Sequence, residues 1–370
     1  MTTDTGAVVR AQVLTAPGTF ETRHFPLPVV GDDDGILDVL ACGLCGSDVA
    51  SFLGTKDHGG EVILGHEVIG RISQLGRGAA SRWGVDVGDR IAIEEALPCG
   101  ACEYCRNGRQ RVCTNFGIRY GDSTIDVAPA LWGGFGERMY LHPNTRVHRV
   151  PEGVADDVAT LFVPLSNGLA WLRDSGELRP GDSVVVFGAG QHGVATGLAA
   201  LRLGARRSLV VGTTADRHRL DLAASFGCDV LAVDPDRSAT EAVLTELGGY
   251  ADVVVDMTPG TALPLISSIE IAKKGAHVLW GGLKRSEVSA PLPVDEIIRR
   301  ELTVRGLWAR PSWAITAAFE WLAADPSLAG LCERTCDAAD LASAFRIATD
   351  PNASERPLHI AIVDQERAAS

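Results

Sequence analysis

Four cysteines within a single short stretch carry the clearest chemical signal in the chain. Cys99, Cys102, Cys105 and Cys113 follow the spacing C-x2-C-x2-C-x7-C. Four thiolates on one lobe can complete the tetrahedral shell of a structural zinc ion. Ferredoxin-type runs instead place the fourth cysteine three residues after the third and follow it with proline. The longer gap, and Thr114 after the last cysteine, therefore favour zinc over an iron–sulfur cluster.

A second signal is the glycine pattern G-x-G-x-x-G formed by Gly188, Gly190 and Gly193. An apolar strand-like run precedes it and a helical pattern at 194–205 follows it, which is the context that dinucleotide-binding loops need. The first glycine permits the tight turn, and the second lets a pyrophosphate approach the positive end of the helix. The pattern predicts a binding site for a nicotinamide dinucleotide.

The residues after the second predicted strand leave the choice between NAD and NADP open. In NAD-binding loops a carboxylate about 20 residues beyond the glycines holds the ribose diol. Here the corresponding positions include Thr213 and no acid. Asp216 could reach back to the diol, whereas Arg217 and Arg219 could meet a 2′-phosphate. All three could also simply begin a solvated helix.

A second potential metal set lies upstream, in the segments CGLCGSD (42–48) and GHE (65–67). Cys45, His66 and Glu67 offer a thiol, an imidazole and a carboxylate, all of them zinc ligands. Adjacent residues on an ideal strand face opposite ways, so binding by both His66 and Glu67 needs a local bend, which Gly65 would ease. Ser47 and Asp48 can cap a helix that begins near this point.

The elements that must position these residues fall into two kinds. Residues 1 to about 160 contain short strands separated by Gly, Pro and Asp turns, which predicts a β-rich, barrel-like domain. After about residue 180 apolar strands alternate with helical patterns, which predicts a parallel sheet covered on both faces. The tail begins with a helix and ends in a strand. We expect domains at 1–164, 165–310 and 311–370, with the metal lobe at about 95–115.

Bulk properties exclude several classes of function. The chain has 370 residues and a net charge of −13, and such an acidic chain repels nucleic-acid phosphates. No apolar run approaches the ~18 residues of a membrane span, and no basic start with an apolar stretch marks a secretory signal. The nine cysteines then indicate ligands and free thiols of a cytoplasmic protein more than a disulfide framework.

Together these motifs resemble the zinc-containing medium-chain alcohol dehydrogenase family, and most closely its sorbitol and threonine dehydrogenase branch. The resemblance covers nearly the whole chain and includes the segments GGFGERMYLHP (133–143) and LRPGDSVVVFGAG (178–190). It implies an α/β fold in which a GroES-like catalytic domain is interrupted by a Rossmann domain and resumed at the C-terminus. It also implies a homodimer or homotetramer acting on a small-molecule alcohol or ketone with zinc and NAD or NADP.

The resemblance also implies a role for each residue of the upstream set. Cys45 and His66 match the first two ligands of a catalytic zinc, and Glu67 matches a carboxylate that binds the ion or stands just behind it. Ser47 matches the hydroxyl that takes the alcohol proton. Asp48 matches the carboxylate that orients the ligand histidine. The four-cysteine lobe matches the structural zinc site of the family.

Two departures keep other functions open. Many relatives carry an acid or cysteine where this chain has Val163, and some place a relay histidine where it has Ala50. His58 is a substitute to consider for that histidine. A zinc-free NADP-dependent reductase on the same scaffold and a non-catalytic nucleotide-binding protein are the alternatives. We expect Phe52 and Trp132 to line the substrate pocket, and such apolar and aromatic residues favour a neutral secondary alcohol or ketone as the substrate, cyclic compounds and polyols included.

Overall fold

The computed structural model describes residues 7–285, 287–350 and 356–364. Within these residues the chain forms two compact units. The first unit contains residues 7–162, 319–350 and 359–364, and the second contains residues 163–318 and 356–358. The first unit is thus built from both ends of the chain, with the second inserted in its sequence.

The strands and α-helices of the described residues have the following bounds. The strands are β1 (Val8–Ala16), β2 (Thr19–Pro26), β3 (Gly35–Gly43), β4 (Val62–Ile63), β5 (Glu67–Leu75), β6 (Arg90–Ile93), β7 (Arg138–Leu141), β8 (Val147–Arg149), β9 (Ser183–Phe187), β10 (Arg207–Thr213), β11 (Asp229–Val233), β12 (Ala251–Asp256), β13 (Ala272–Trp280), β14 (Thr303–Gly306), β15 (Cys332–Asp337) and β16 (His359–Val363). The α-helices are α1 (Gly46–Phe52), α2 (Arg77–Trp83), α3 (Glu103–Arg106), α4 (Asp156–Ala159), α5 (Phe162–Ala170), α6 (Gln191–Arg202), α7 (Arg217–Ser225), α8 (Thr240–Leu247), α9 (Leu263–Glu270), α10 (Val294–Arg299), α11 (Ser312–Ala324) and α12 (Leu341–Thr349).

The first unit is built on two sheets. A small sheet has the strand order β2-β1-β4, and a larger one has the order β15-β16-β3-β5-β6-β8, with β7 also pairing with β3. Strands β3 and β5 are antiparallel neighbours along almost their whole length. The C-terminal strand β16 pairs with β3, which is why the end of the chain belongs to this unit. The predicted β-rich domain is therefore present.

The core of the first unit is apolar and aromatic. Trp132 is 1% exposed, donates its indole N–H to the carbonyl of Val127 and meets Tyr140 edge to face. Phe52 stacks against Phe20 and lies 4.7 Å, centroid to centroid, from Phe345. Trp132 and Phe52, which the sequence suggested as residues lining a substrate pocket, thus pack against the core.

The second unit contains one parallel sheet with the order β11-β10-β9-β12-β13-β14. Val184, Val185 and Val186 of β9 are fully buried, as expected for a central strand covered on both faces. The strand order reverses between β9 and β12, and ligands of such sheets bind outside the carboxyl ends of the strands at this point. The parallel, doubly wound sheet predicted from the sequence is confirmed.

Among the residues that the structure describes, no helix is long and apolar enough to cross a membrane.

Candidate zinc and dinucleotide sites

The four cysteines of the lobe converge on one point. Their sulfur atoms all lie within 4.8 Å of one another, with 3.5 Å between Cys99 and Cys113, 3.8 Å between Cys102 and Cys113, and 4.0 Å between Cys99 and Cys105. A tetrahedral zinc with Zn–S bonds of about 2.3 Å requires sulfur–sulfur separations of roughly 3.8 Å. All four cysteines are free thiols. The lobe therefore fits a structural zinc ion.

Backbone N–H groups point at the sulfur atoms of the lobe. The N–H of Cys102 donates to Cys99 Sγ, that of Cys105 to Cys102 Sγ and that of Asn115 to Cys113 Sγ. Donors aimed at sulfur favour the thiolate, which is the form that binds metal. Backbone donors from Cys105 and Thr114 lower the pKa of Cys102 to about 6.

One thiol of the lobe, that of Cys105, has a raised pKa instead of a lowered one. Burial raises the pKa of Cys105 to about 12, and neighbouring cysteine side chains raise it further. A metal ion deprotonates a coordinating thiol outright. The lobe thus offers thiols that ionise readily together with one that needs the ion itself.

The upstream set is organised by the carboxylate of Asp48. This side chain, in the first turn of α1, accepts hydrogen bonds from the backbone N–H of Cys45 at 3.0 Å and of Gly65 at 3.3 Å. Its Oδ1 lies 3.5 Å from Nδ1 of His66. Asp48 is only 1% exposed. One buried carboxylate therefore joins the start of α1 to the segment that enters β5.

The environment of His66 suits a metal ligand. Burial lowers the pKa of its imidazole, but the charge and hydrogen bond of Asp48, helped by Cys45, leave that pKa well above its ordinary value. A carboxylate on one ring nitrogen fixes the tautomer and leaves the other nitrogen for a metal. Asp48 thus lies beside Nδ1 of His66, where the family resemblance leads us to expect an orienting carboxylate.

Glu67 is the first residue of β5 and is fully buried. One of its carboxylate oxygens lies within 4.8 Å of Cys45 Sγ, and His66 does not belong to this close set of donor atoms. Gly65 has a φ of +91°, which supplies the bend that the sequence called for before the histidine. Ser47, at the start of α1, is half-buried.

Gly43 lies against the candidate ligand Glu67, and the sequence analysis missed this contact. A Cβ at this residue would lie 2.3 Å from Oε2 of Glu67 and 2.9 Å from Cε1 of His359. Only glycine leaves room for the buried carboxylate beside β3. The sequence carries no signal for this role, because Glu67 approaches Gly43 only once β3 and β5 pair.

Cys42, the neighbour of Gly43, has a different role. It is fully buried, and Cβ atoms added at Gly65 or Gly134 would touch its sulfur at 2.9 Å. Burial is the first cause that raises the pKa of its thiol well above the ordinary value. Cys42 therefore serves as a packing residue of the core.

The glycine loop of the second unit has the geometry of a dinucleotide site. Gly188 ends β9 with a φ of +105°, and a Cβ at Gly193 would lie 1.7 Å from the carbonyl oxygen of Gly188. Gly190 is the N-cap of α6, and a Cβ there would meet no atom within 4 Å. The first and third glycines thus allow the turn and the close packing of the helix. The space over Gly190 fits a pyrophosphate at the helix N-terminus.

The residues that could bind the ribose form hydrogen bonds and ion pairs with neighbouring protein groups. The carboxylate of Asp216 accepts hydrogen bonds from the N–H of Thr213 at 3.0 Å and from its hydroxyl at 2.8 Å. Arg217 pairs with Asp221 one helical turn later at 3.0 Å. Arg219 donates to the backbone carbonyls of residues 356 and 357. The Thr213 and Asp216 contacts form the capping box of the short 3₁₀ helix Thr214–Asp216 before α7, and none of these contacts separates NAD from NADP.

Comparison with known proteins places this chain in a family. Residues 31–152 match the alcohol dehydrogenase GroES-like domain, and residues 193–324 match the zinc-binding dehydrogenase family. A probable alcohol dehydrogenase of Mycobacterium tuberculosis is 40% identical over 345 residues, covering 91% of this chain and 94% of that protein. An L-threonine 3-dehydrogenase of Colwellia psychrerythraea is 28% identical, covering 81% and 84% of the two chains. A crystal structure of an alcohol dehydrogenase from Thermotoga maritima has a TM-score of 0.85 at 22% identity, covering 97% of this chain and all of that one, which shows a shared fold.

The chain therefore belongs to the zinc-containing medium-chain alcohol dehydrogenase family. It is an alcohol-oxidising oxidoreductase of the NAD(P)-dependent zinc type, with a GroES-like unit and a Rossmann-like unit. The family and fold predicted from the sequence are confirmed. Zinc and a nicotinamide cofactor follow from this membership, and the four-cysteine lobe is a site able to bind a structural zinc.

Replacing one lobe cysteine tests the structural site. In Cys102→Ser we expect the chain to lose about one zinc ion and the melting temperature to fall by about 10 °C, because a lost metal site costs on the order of 4–5 kcal/mol. Metal analysis and calorimetry measure both. Cys228→Ala, at a buried thiol outside the lobe, is the control for zinc content. Unchanged zinc and melting temperature in Cys102→Ser would contradict the assignment.

Two glycine variants separate binding from folding in the dinucleotide loop. Gly190→Ala adds a methyl group to open space, so we expect the melting temperature to move by at most about 2–4 °C while the dissociation constant for the dinucleotide rises roughly ten-fold or more. Gly193→Ala forces its methyl group against the Gly188 carbonyl, so stability is lost first. Calorimetric titration with NAD and NADP gives the affinities. Wild-type affinity in a folded Gly190→Ala variant would contradict the assignment of the loop.

Proposed function

We propose that Cys45, His66 and Glu67 hold a catalytic zinc ion, distinct from the ion of the cysteine lobe. The enzyme would then interconvert a neutral secondary alcohol and its ketone with NAD or NADP. The observation that carries this proposal is the Asp48 carboxylate, which ties Cys45 and His66 together in a buried position. A thiol, an imidazole and a carboxylate with an open fourth position form a typical catalytic zinc set.

The chemistry of the bound groups is that of the family. A zinc ion held by these residues would supply Lewis acidity towards an alcohol oxygen, and a bound nicotinamide cofactor would supply the hydride acceptor. The low exposure of Glu67 and Asp48 strengthens electrostatic interactions at the site by excluding water. Two buried carboxylates beside Cys45 and His66 would thus favour a bound cation.

Three side chains would accept the proton, orient the histidine and bind or support the metal. Ser47, two residues after Cys45 and half-buried, would take the alcohol proton. Asp48 would hold His66 in the tautomer that leaves Nε2 for the metal. Glu67, with Gly43 making room for it, would bind the metal or stand directly behind it.

A neutral substrate is supported by the charges near α1. Lys56, the cation closest in sequence to this helix, pairs with the carboxylate of Asp122 at 2.7 Å. A lysine that is already neutralised contributes little to binding a phosphate or a carboxylate of a substrate. We therefore propose a secondary alcohol or polyol over a sugar acid or a phosphate ester.

A zinc-free reductase on the same scaffold is the second candidate. It is favoured by Val163, which is buried in α5 where many relatives carry a metal-binding or acidic residue. Metal analysis separates the two, because the dehydrogenase needs about two zinc ions per chain and the reductase needs only the lobe's ion.

The assembly and the cellular location remain predictions. A homodimer or homotetramer is supported by the family resemblance and by Val294 and Ile298, which are exposed apolar residues of α10. Light scattering of the purified protein measures the assembly. A cytoplasmic location is the expectation from the sequence.

Ligand variants test the catalytic metal site. We expect Cys45→Ser and His66→Ala to reduce alcohol-dependent formation of the reduced cofactor by at least about 100-fold, because the Lewis acid is lost. Zinc content should fall from about two ions to one per chain, with the melting temperature of the lobe-bearing fold retained. Cofactor absorbance and metal analysis are the measurements.

Cys42→Ala is the matched control, since this thiol lies three residues from Cys45 and packs in the core. We expect it to keep both zinc ions and most of its turnover, at some cost in stability. Full turnover of Cys45→Ser or His66→Ala in zinc-free form would overturn the proposal.

Gly43→Ala tests the placement of Glu67. Because the new methyl group would collide with the glutamate carboxylate, we expect β3 to keep its pairing while Glu67 is displaced. A zinc content of one ion per chain would identify Glu67 as a direct ligand, and two ions with reduced turnover would place it behind the metal. Two ions with wild-type turnover would show that the carboxylate has no part in the site. Glu67→Gln, which keeps the side-chain size, is the control for steric effects.

A further inference from the structure

A buried ion pair lies at the carboxyl end of the parallel sheet in the second unit. Nζ of Lys284 lies 2.7 Å from Oδ2 of Asp256, the last residue of β12. The Asp256 side chain is fully buried, and the Lys284 side chain is 14% exposed. The carboxyl ends of β9 and β12 border the point at which the strand order reverses, where such sheets bind their ligands. The pair therefore lies at the edge of the sheet that a dinucleotide would occupy.

The carboxylate of Asp256 shapes the turn that follows β12. Its Oδ1 accepts hydrogen bonds from the backbone N–H of Thr258 at 2.9 Å and from the hydroxyl of the same residue. An aspartate that binds the N–H two residues ahead forms an Asx turn. The other oxygen, Oδ2, faces Lys284. One oxygen thus fixes the turn, and the other joins the turn to a second segment of the chain.

The ammonium group of Lys284 binds the same turn. Besides pairing with Asp256, Nζ donates to the backbone carbonyl of Thr258 and, at 2.8 Å, to its hydroxyl oxygen. An ammonium group has three N–H donors and no acceptor, so each of its protons has a partner here. Lys284 follows the end of β13, the neighbour of β12 in the sheet. Its side chain therefore ties the exit of one strand to the exit of the next.

The backbones of the two strand exits also meet directly. The N–H groups of Gly281 and Gly282 both donate to the carbonyl of Asp256, at 2.9 and 3.1 Å. A Cβ at Gly282 would lie 2.3 Å from a carbonyl oxygen of the other segment, so the close approach requires glycine. Segments 256–260 and 281–284 thus pack backbone to backbone, and we refer to them together as the paired turns.

The paired turns contact the glycine loop of the dinucleotide site. The N–H of Met257 donates to the carbonyl of Phe187 at 2.8 Å. A Cβ at Gly188 would lie 3.2 Å from the carbonyl carbon of Met257 and 3.3 Å from the side chain of Thr258. The glycine loop and the turn fixed by Asp256 are therefore direct neighbours. A shift of this turn would change the shape of the crevice beside the loop.

The position of the paired turns predicts which half of the dinucleotide they affect. A doubly wound sheet consists of two mononucleotide-binding halves, one on each side of the point of reversal. The adenosine ribose, which distinguishes NAD from NADP, is bound beyond the second strand of the first half, here β10. Strands β12 and β13 belong to the other half of the sheet. The paired turns therefore lie on the side of the nicotinamide half.

The ion pair is better explained by geometry than by stability. Removing two charges from water costs about as much as their attraction returns, so a buried pair is weak evidence for a stabilising role. The hydrogen bonds of Lys284 to Asp256 and Thr258 instead specify one arrangement of the paired turns. A fixed arrangement matters most at a surface that must receive a ligand.

We propose that Lys284 is a positioning residue for the dinucleotide site. Through Asp256 and Thr258 it holds the paired turns in the arrangement that receives the nicotinamide half of NAD or NADP. Its ammonium group acts through the protein and not on the dinucleotide, because its protons are used within the paired turns. The inference rests on the use of a nicotinamide cofactor in the proposed function.

Lys284→Met tests this role in calorimetric titrations of the purified, zinc-loaded chain. We expect the dissociation constants for NAD and NADP to rise roughly ten-fold or more, because the turns lose the arrangement that fits the ligand. The dissociation constant for AMP, which fills only the adenosine half, should stay within about two-fold of the wild-type value. A general loosening of the unit would weaken both kinds of binding. Equal weakening of AMP and dinucleotide binding would therefore overturn the positioning role.

A double variant separates positioning from stability. Lys284→Met alone leaves the Asp256 charge buried without its ion-pair partner, so we expect the melting temperature to fall by about 10 °C. Adding Asp256→Asn removes that charge and keeps an oxygen for the N–H of Thr258, so most of the melting temperature should return. The affinity for NAD and NADP should remain low, because the bridge between the paired turns is still missing. Recovery of wild-type affinity together with stability would contradict the proposal.

Lys273→Met is the matched control. Lys273, in β13, also pairs with an aspartate of β12, since its Nζ lies 2.7 Å from Oδ1 of Asp252. This pair joins the same two strands at their amino ends, at the edge of the sheet opposite the crevice. We expect the control to keep the wild-type affinities for AMP, NAD and NADP. The same loss of dinucleotide affinity in Lys273→Met as in Lys284→Met would count against a role specific to Lys284.

Binding by the wild-type chain separates failure of this role from failure of the proposed function. If the wild-type chain binds NAD or NADP and Lys284→Met binds it equally well, the positioning role alone is overturned. If the wild-type chain binds neither dinucleotide, the dinucleotide site itself is overturned, and the role of Lys284 with it. Dinucleotide binding that depends on Lys284, without turnover of any secondary alcohol, would support the positioning role and overturn the proposed function.

Discussion

The buried carboxylate of Asp48 is the interaction on which the proposed catalytic site of the first unit depends. It accepts hydrogen bonds from the backbone at Cys45 and Gly65 and lies beside His66. A carboxylate so far from water is costly unless its oxygens are satisfied, and here both are. The same anion therefore fixes the start of α1 against the entry to β5 and sets the charge of the imidazole between them. A thiol and an imidazole separated by 21 residues in sequence are thereby held at one place.

Two glycines show how a missing side chain can position a functional group. Gly43 leaves space for the carboxylate of Glu67, and Gly193 lets α6 approach the carbonyl of Gly188. In both cases the constraint comes from an atom that is distant along the chain or reached only after a turn has formed. The Gly193 constraint belongs to a local motif, whereas the Gly43 constraint depends on the pairing of β3 with β5.

The difference between local and long-range constraints also decides what the sequence could predict. The apolar runs of β9 and β12, the glycine loop and the cysteine spacing are local patterns, and they gave the parallel sheet and the metal lobe. Residues close in sequence, such as Cys45 and Asp48, were likewise found as a set. The contact of Glu67 with Gly43 was missed because the two residues meet only when β3 and β5 pair. Trp132 was placed at a pocket because an aromatic residue in a loop gives no indication of how deeply it is buried.

The cysteine lobe contains little regular structure, since only the single turn of α3 and the 3₁₀ helix Gln110–Val112 lie between Cys102 and Cys113. With zinc bound, coordination bonds would hold residues that elsewhere are held by an apolar core, so folding of the lobe would be coupled to metal binding. Because Cys105 holds its proton until the ion arrives, loading should release acid and slow down in acidic surroundings. The supply of zinc during synthesis would thus be a maturation step for the enzyme, independent of its alcohol substrate.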